Sequence, residues 1–185
     1  MPAIEFDPPE RFIADSVGPA GQRTFFLQAV QGTQVMTVSL EKEQVRLLGE
    51  GVAQLLDEMA GDEASSEPTV VDTGALHTPI EEDFRARQLT LAWNETRRLV
   101  VIEATDRETE DEDGDESSTG PDPDPDPQDP IGSQSVIVRL PVGMARGFAE
   151  RCEAAMSGGR PNCPFCGGPL DPGGHICPRA NGYKR

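Results

Sequence analysis

Apolar runs long enough to cross a bilayer are missing from this chain; no stretch approaches the roughly 20 apolar residues that a membrane helix needs. The opening residues, MPAIEFDPPE, also lack the basic and then apolar order of a signal peptide, so a cytoplasmic protein with no membrane role is the expectation. Positive charge is scarce, with 16 Lys and Arg against 33 Asp and Glu and a net charge of -17. Phosphate binding is driven by basic side chains displacing counterions, so this balance argues against nucleic acid as a partner for the surface as a whole. Ready-made catalytic signatures are absent too: there is no Walker-type loop, nucleophile elbow, dinucleotide-binding glycine fingerprint or HExxH helix. The enzyme question therefore leans towards no.

What is present is unevenly spread. Eleven acids and one base fall between positions 107 and 130, in RETEDEDGDESSTGPDPDPDPQDP, and the rest of the chain is only mildly acidic. That stretch offers no apolar surface to offset the entropy of ordering it, so residues 107–132 are predicted to be a disordered acidic insertion. On either side the apolar pattern is clear. Residues 12–17 are apolar-rich and end in a Gly-Pro-Ala-Gly turn signal. Residues 23–30 and 34–40 flank a Gln31-Gly32-Thr33 link and read as a hairpin, as do 84–93 and 99–105 around Asn94 to Arg97. A last strand is predicted at 135–140. Trp93, the single tryptophan, reads as core.

Val45, Leu48, Val52, Leu55, Leu56 and Met59 form one stripe of a helix of about 18 residues, and Met144, Ala145, Phe148, Cys152, Ala155 and Met156 form a stripe on another. Gly49 and Gly51 cost the first helix roughly 1 kcal/mol each relative to Ala, which points to a close approach to the sheet or a local irregularity. An offset of one hundred residues matches Val38 with Val138, Leu40 with Leu140, Arg46 with Arg146 and Glu50 with Glu150. The expected fold is therefore α+β, a βββα pseudo-repeat giving one antiparallel sheet of about six strands with both helices on one face. Residues 1–158 form that domain and residues 159–185 a small separate module.

The module carries the most specific chemistry. Cys163 and Cys166 have the two-residue gap of a metal knuckle, and His175 and Cys177, two apart, point to the same side of an extended segment. Between the pairs, prolines and glycines build a turn. The pattern C-x2-C-x8-H-x-C predicts one structural Zn2+ held by Cys163, Cys166, His175 and Cys177. Cys152, on the apolar stripe of the last helix, is the competing fourth ligand, though plain burial is the commoner fate of such a cysteine.

Other candidates are weaker. Arg23, Arg46, Arg85, Arg87, Arg97 and Arg98 could form an anion or partner surface on the open sheet face, or simply solvate strand ends. His77, near Asp72 and the Glu81-Glu82-Asp83 cluster, could act as a general base, or belong to a polar loop.

The segments GQRTFFLQA, LEKEQV, FRARQLTLAW with LVVIEA, and above all CPFCGGPLDPGGHICPRANGY resemble an actinobacterial family of uncharacterised proteins with a C-terminal CPxCGxPLDPxGHxCPRxNGY motif. The resemblance implies a zinc-ribbon-like end and no established activity. It also implies a protein partner similar to phosphatidylinositol kinases, encoded beside the family's genes. The expectation is a zinc-binding protein that works as a binding or adaptor protein. The alternatives are an enzyme acting on an anionic small molecule, and a nucleic-acid-associated protein using the basic zinc tail.

Overall fold

The hairpin at the centre of the first half shows why the strands form. β-branched and aromatic residues fill Thr24–Gln31 and Gln34–Leu40, and Gly32, at φ 60°, makes the tight turn between them. The structure, a computed structural model, describes residues 3–61, 68–107 and 134–157 and, beyond these, residues 163, 165, 166, 177 and 179. The acidic insertion, His175 and most of the 159–185 module lie outside the described residues.

In chain order the elements are β1 (Ile4–Phe6), β2 (Arg11–Val17), β3 (Thr24–Gln31), β4 (Gln34–Leu40), α1 (Lys42–Met59), β5 (Phe84–Arg85), β6 (Gln88–Asn94), β7 (Leu99–Thr105), β8 (Ser135–Pro141) and α2 (Val142–Ser157). The fold is α+β, but the expected single sheet is corrected: there are two four-stranded sheets, ordered β2-β3-β4-β5 and β1-β8-β7-β6. The physical reason lies in two short strands. β5 pairs parallel with β4, with Phe84 opposite Val38, and β1 pairs parallel with β8, with Phe6 opposite Val138. Each half thus lends its leading strand to the last strand of the other half. The strand expected over 84–93 is broken after Arg85 into β5 and β6, and neither β1 nor β5 is long enough to show a period from which its partner strand could be read.

The two halves share one register throughout. Leu27 faces Val38 and Ala14, as Ile102 faces Val138 and Leu91; Ala29 faces Met36 and Phe12, as Ala104 faces Val136 and Leu89. The acidic insertion therefore replaces the two-residue turn between β3 and β4 by the long connection between β7 and β8. Reciprocal strand exchange with matching registers relates the halves by a pseudo-two-fold.

One core joins both sheets and both helices. Phe12, Leu27, Val38, Val100, Ile102 and Val138 are buried in it, and the rings of Phe12 (β2) and Phe148 (α2) stack at 4.6 Å. The helices also exchange partners: α1, which follows the last long strand of its own sheet, packs on β6 of the other, and α2 packs on β2. Gly49 sits where the helices meet, and a Cβ there would lie 2.6 Å from that of Cys152, so the close approach is to α2. Gly51 packs towards Leu91 of β6, so this glycine does serve an approach to a sheet. At the start of α1, Gln44 Oε1 accepts the Glu41 N–H at 2.8 Å, one half of a capping box.

The outer face of the first sheet is covered by the chain between α1 and β5. Leu76 and Ile80 from that segment pack on Ile13 and Phe26. No helix among the described residues is long and apolar enough to cross a membrane.

Candidate metal centre

Three thiols converge in the C-terminal segment. The Sγ atoms of Cys163, Cys166 and Cys177 all lie within 4.8 Å of one another. Cys163 and Cys177 are buried and Cys166 half-buried. The two-residue gap explains the first pair: the chain turns at Phe165 and Cys166, and the backbone N–H groups of Cys166 and Phe165 are presented to the Cys163 sulfur. Those donors, Cys166's first, with smaller help from the neighbouring thiols, outweigh burial and push the Cys163 thiol down to about 6. A cysteine so placed reaches the thiolate form, the form that binds metal.

A tetrahedral ion sets the spacing that its thiolate donors must have. Metal–sulfur bonds of about 2.3 Å at the tetrahedral angle place sulfurs about 3.8 Å apart. The Sγ atoms of Cys163 and Cys177 are 3.8 Å apart. The same separation is far too long for a disulfide, whose sulfurs lie about 2.05 Å apart. Three soft donors within 4.8 Å of one another could coordinate a metal ion such as zinc. Across the segment, Arg179 Nη1 donates to the Phe165 carbonyl at 3.3 Å, tying the second part of the segment to the first turn.

Cys152 is not in this cluster. It lies on α2 against Gly49, and burial pushes its thiol up to about 12, so it stays a neutral core side chain. His77 is exposed, and its main-chain groups are engaged by Gln28. Of the acids near it in sequence, Asp72 serves Arg11 and Asp83 accepts from the Thr37 N–H.

The arginines considered for an anion surface stand at separate junctions. Arg85 pairs with Glu41 before α1, and Arg97, in the β6–β7 turn, pairs with Asp7 at 2.5 Å. Arg98, with φ 53°, donates to the Ala60 carbonyl after α1, and Arg46 bridges Glu43 and Glu50 on the helix surface. The Arg87 main-chain N–H donates to Thr105, and Arg23, half-buried, precedes β3. Of the cavities in the body, one near α2 is lined in part by Arg11 and Arg151, and one between the helices in part by Arg46 and Arg146 together with Glu50, Asp57, Glu150 and Glu153.

Sequence reasoning missed the polar anchors of the segment after α1. Gln28, fully buried on β3, accepts the His77 N–H at 2.6 Å and donates to the His77 carbonyl at 3.2 Å and to Thr37 Oγ1 at 3.1 Å. Arg11 donates to both oxygens of Asp72, and Arg151 to Asp15 and to the carbonyls of Ala14 and Gly74. The signal that could have found Gln28 is its place inside an otherwise apolar strand, FFLQAV.

The fold and the thiol cluster define an α+β protein, two interlocked halves of like topology, with a cysteine cluster at its C-terminal end able to hold a metal. No curated protein and no solved structure matches it. A family model described as a protein of unknown function (DUF3090) matches residues 4–177, and the chain belongs to that family.

Proposed function

We propose that this is a zinc-binding adaptor, in which a structural ion orders the C-terminal segment and the ordered segment, with the body beside it, forms a surface for another protein. Cys163, Cys166 and Cys177 supply three ligands and His175 the fourth. The observation that carries the reading is the 3.8 Å separation of the Cys163 and Cys177 sulfurs, the edge of a tetrahedral thiolate site. Four protein ligands leave no position for a substrate or an activated water, so the ion supplies folding free energy and no catalysis.

The exposed Phe165, at the turn between the first two ligands, is the side chain best placed to meet a partner, being 62% exposed in a segment with few other large apolar groups. The partner implied by the family resemblance is a protein similar to phosphatidylinositol kinases.

Two measurements test the reading. Elemental analysis of purified protein should give one zinc per chain, and cobalt substitution should give the intense charge-transfer and ligand-field bands of a tetrahedral three-sulfur, one-nitrogen site; sub-stoichiometric metal defeats it. Affinity capture from the native host should then recover the kinase-like protein with the full chain and lose it with Phe165→Ser, which leaves the ligands in place. Equal recovery by both defeats the adaptor role.

A further inference from the structure

In the first half, the chain leaving α1 lies across the groove between α2 and β2. The Val70 N–H donates to the Gly143 carbonyl at 3.1 Å, and the Val70 carbonyl passes so close to Gly147 that a Cβ there would be 1.9 Å from its oxygen. Asp72 then takes Arg11 and folds back on the Gly74 N–H at 2.8 Å. Arg151 holds the Gly74 carbonyl at 3.0 Å.

The pseudo-two-fold maps this groove onto the one between α1 and β6. Gly147 maps to Leu47 and Phe148 to Leu48 by the hundred-residue offset, and Phe12 maps to Leu89 by the strand register. There a cavity of about 230 Å³ is lined by Gln44, Leu47, Leu48, Leu89, Thr90 and Leu91. Leu47 is 54% exposed, although a leucine there has an apolar groove beside it. Among the described residues this groove has no occupant.

The sequence supplies one. Val71-Asp72-Thr73-Gly74-Ala75-Leu76-His77-Thr78-Pro79 aligns with Leu170-Asp171-Pro172-Gly173-Gly174-His175-Ile176-Cys177-Pro178, identical at the Asp, the Gly and the final Pro. The first stretch begins twelve residues after the end of α1 and the second thirteen after the end of α2, so the pseudo-two-fold puts the second groove within the same reach. We infer that the α1/β6 groove is the docking site of this chain's own residues 168–178, the counterpart of the 68–79 segment on α2 and β2.

The two dockings differ in chemistry. Arg11 and Arg151 map to Gln88 and Gly51, so no guanidinium waits for Asp171, and the Leu47 side chain stands where the glycine let a backbone pass. An apolar groove recognises apolar side chains, and the large ones in 168–178 are Leu170 and Ile176. The body would thus take the segment through leucine contacts, while the cysteine cluster fixes its internal shape.

Docking and metal binding fail separately in one experiment. The photo-reactive residue p-benzoylphenylalanine is placed at Leu47 in the full chain, or at the exposed Ala53, which faces the groove between the helices instead. After irradiation, cross-linked peptides are identified by mass spectrometry, and zinc is measured on the same sample. The expected result is a cross-link within one chain from position 47 to 168–178, several-fold above that from position 53. Capture of a second copy, no capture of the segment, or equal capture from both positions overturns the inference. Missing zinc would count against the metal reading alone, and full zinc without the cross-link would count against the docking alone.

Discussion

The two segments that follow the helices solve one problem in different ways. After α1, the chain is fastened to the body by long-range polar contacts, Arg11 to Asp72, Arg151 to Gly74 and Gln28 to His77, and by a glycine that admits its backbone. After α2, the contacts described include three sulfurs brought together and the Arg179 contact to Phe165, both local to the segment. A segment built into the body should share its unfolding, whereas one folded around an ion answers first to the metal. Stability of the body and order in the tail should therefore come apart under the right substitutions.

The largest expected effect is on the tail. Cys163→Ser removes a buried thiol of the cluster, and if the proposed zinc site is right the loss in metal affinity should exceed the roughly 10–100-fold typical of changes that only touch a ligand's neighbours. Zinc retained after dialysis against a mild chelator should fall from one per chain to almost none. The body's melting temperature, read by circular dichroism, should stay where it was. A body that melts together with the loss of metal would show that the two regions are one cooperative unit.

The complementary change strikes the first segment. Gly147→Ala puts a Cβ 1.9 Å from the Val70 carbonyl oxygen, a clash between two backbones that neither a helix nor a fastened segment can relieve cheaply. Overpacking of this kind costs about 1–3 kcal/mol. At roughly 2–4 °C per kcal/mol for a protein of this size, the melting temperature should fall by several degrees with zinc content unchanged. An unchanged melting temperature would mean that the 68–76 segment adds little to the body.

Gln28→Ala should cost less, about 1–2 kcal/mol, because it strips the Thr37 hydroxyl and both main-chain groups of His77 of a partner, yet His77 is exposed and water can replace part of the loss. Amide hydrogen exchange should show faster exchange at His77 and its neighbours than at β6 and β7. Uniform loss of protection across both sheets would instead make Gln28 a residue of the global core.

Much of this was legible beforehand because period and spacing are local. The helix stripes predicted α1 and α2, shared apolar faces predicted β4, β6 and β7, and Val38 with Val138 and Leu40 with Leu140 pointed to the repeat. That Cys163, Cys166 and Cys177 come together was legible because their short spacing is a local signal. The pairings of Phe84 and Phe6 were not, since which strand a two- or three-residue element joins is decided by the other half of the chain. The Arg11–Asp72 pair spans 61 positions, and nothing in either residue's neighbourhood names its partner. A buried glutamine in a strand could have been noticed but not paired.

The smallest effect tests the same fastening by pH. The Arg11 guanidinium, with help from the Gly74 N–H, holds the Asp72 carboxyl below its ordinary 3.8 against a modest opposing push from burial. A carboxylate with a lowered folded value binds fewer protons in the folded state than in the unfolded one, so its contribution is complete above the unfolded value and is lost as pH falls through the folded one. Both side chains are about 30% exposed, and solvent screening keeps the contribution below about 1 kcal/mol. Asp72→Asn should therefore lower stability by a small, constant amount from pH 5 to 8, and the gap to the parent protein should close as acid protonates Asp72. A gap that persists unchanged at pH 2–3 would show that the carboxylate's charge does not fasten the segment, and that the polar contacts of the first half act through shape alone.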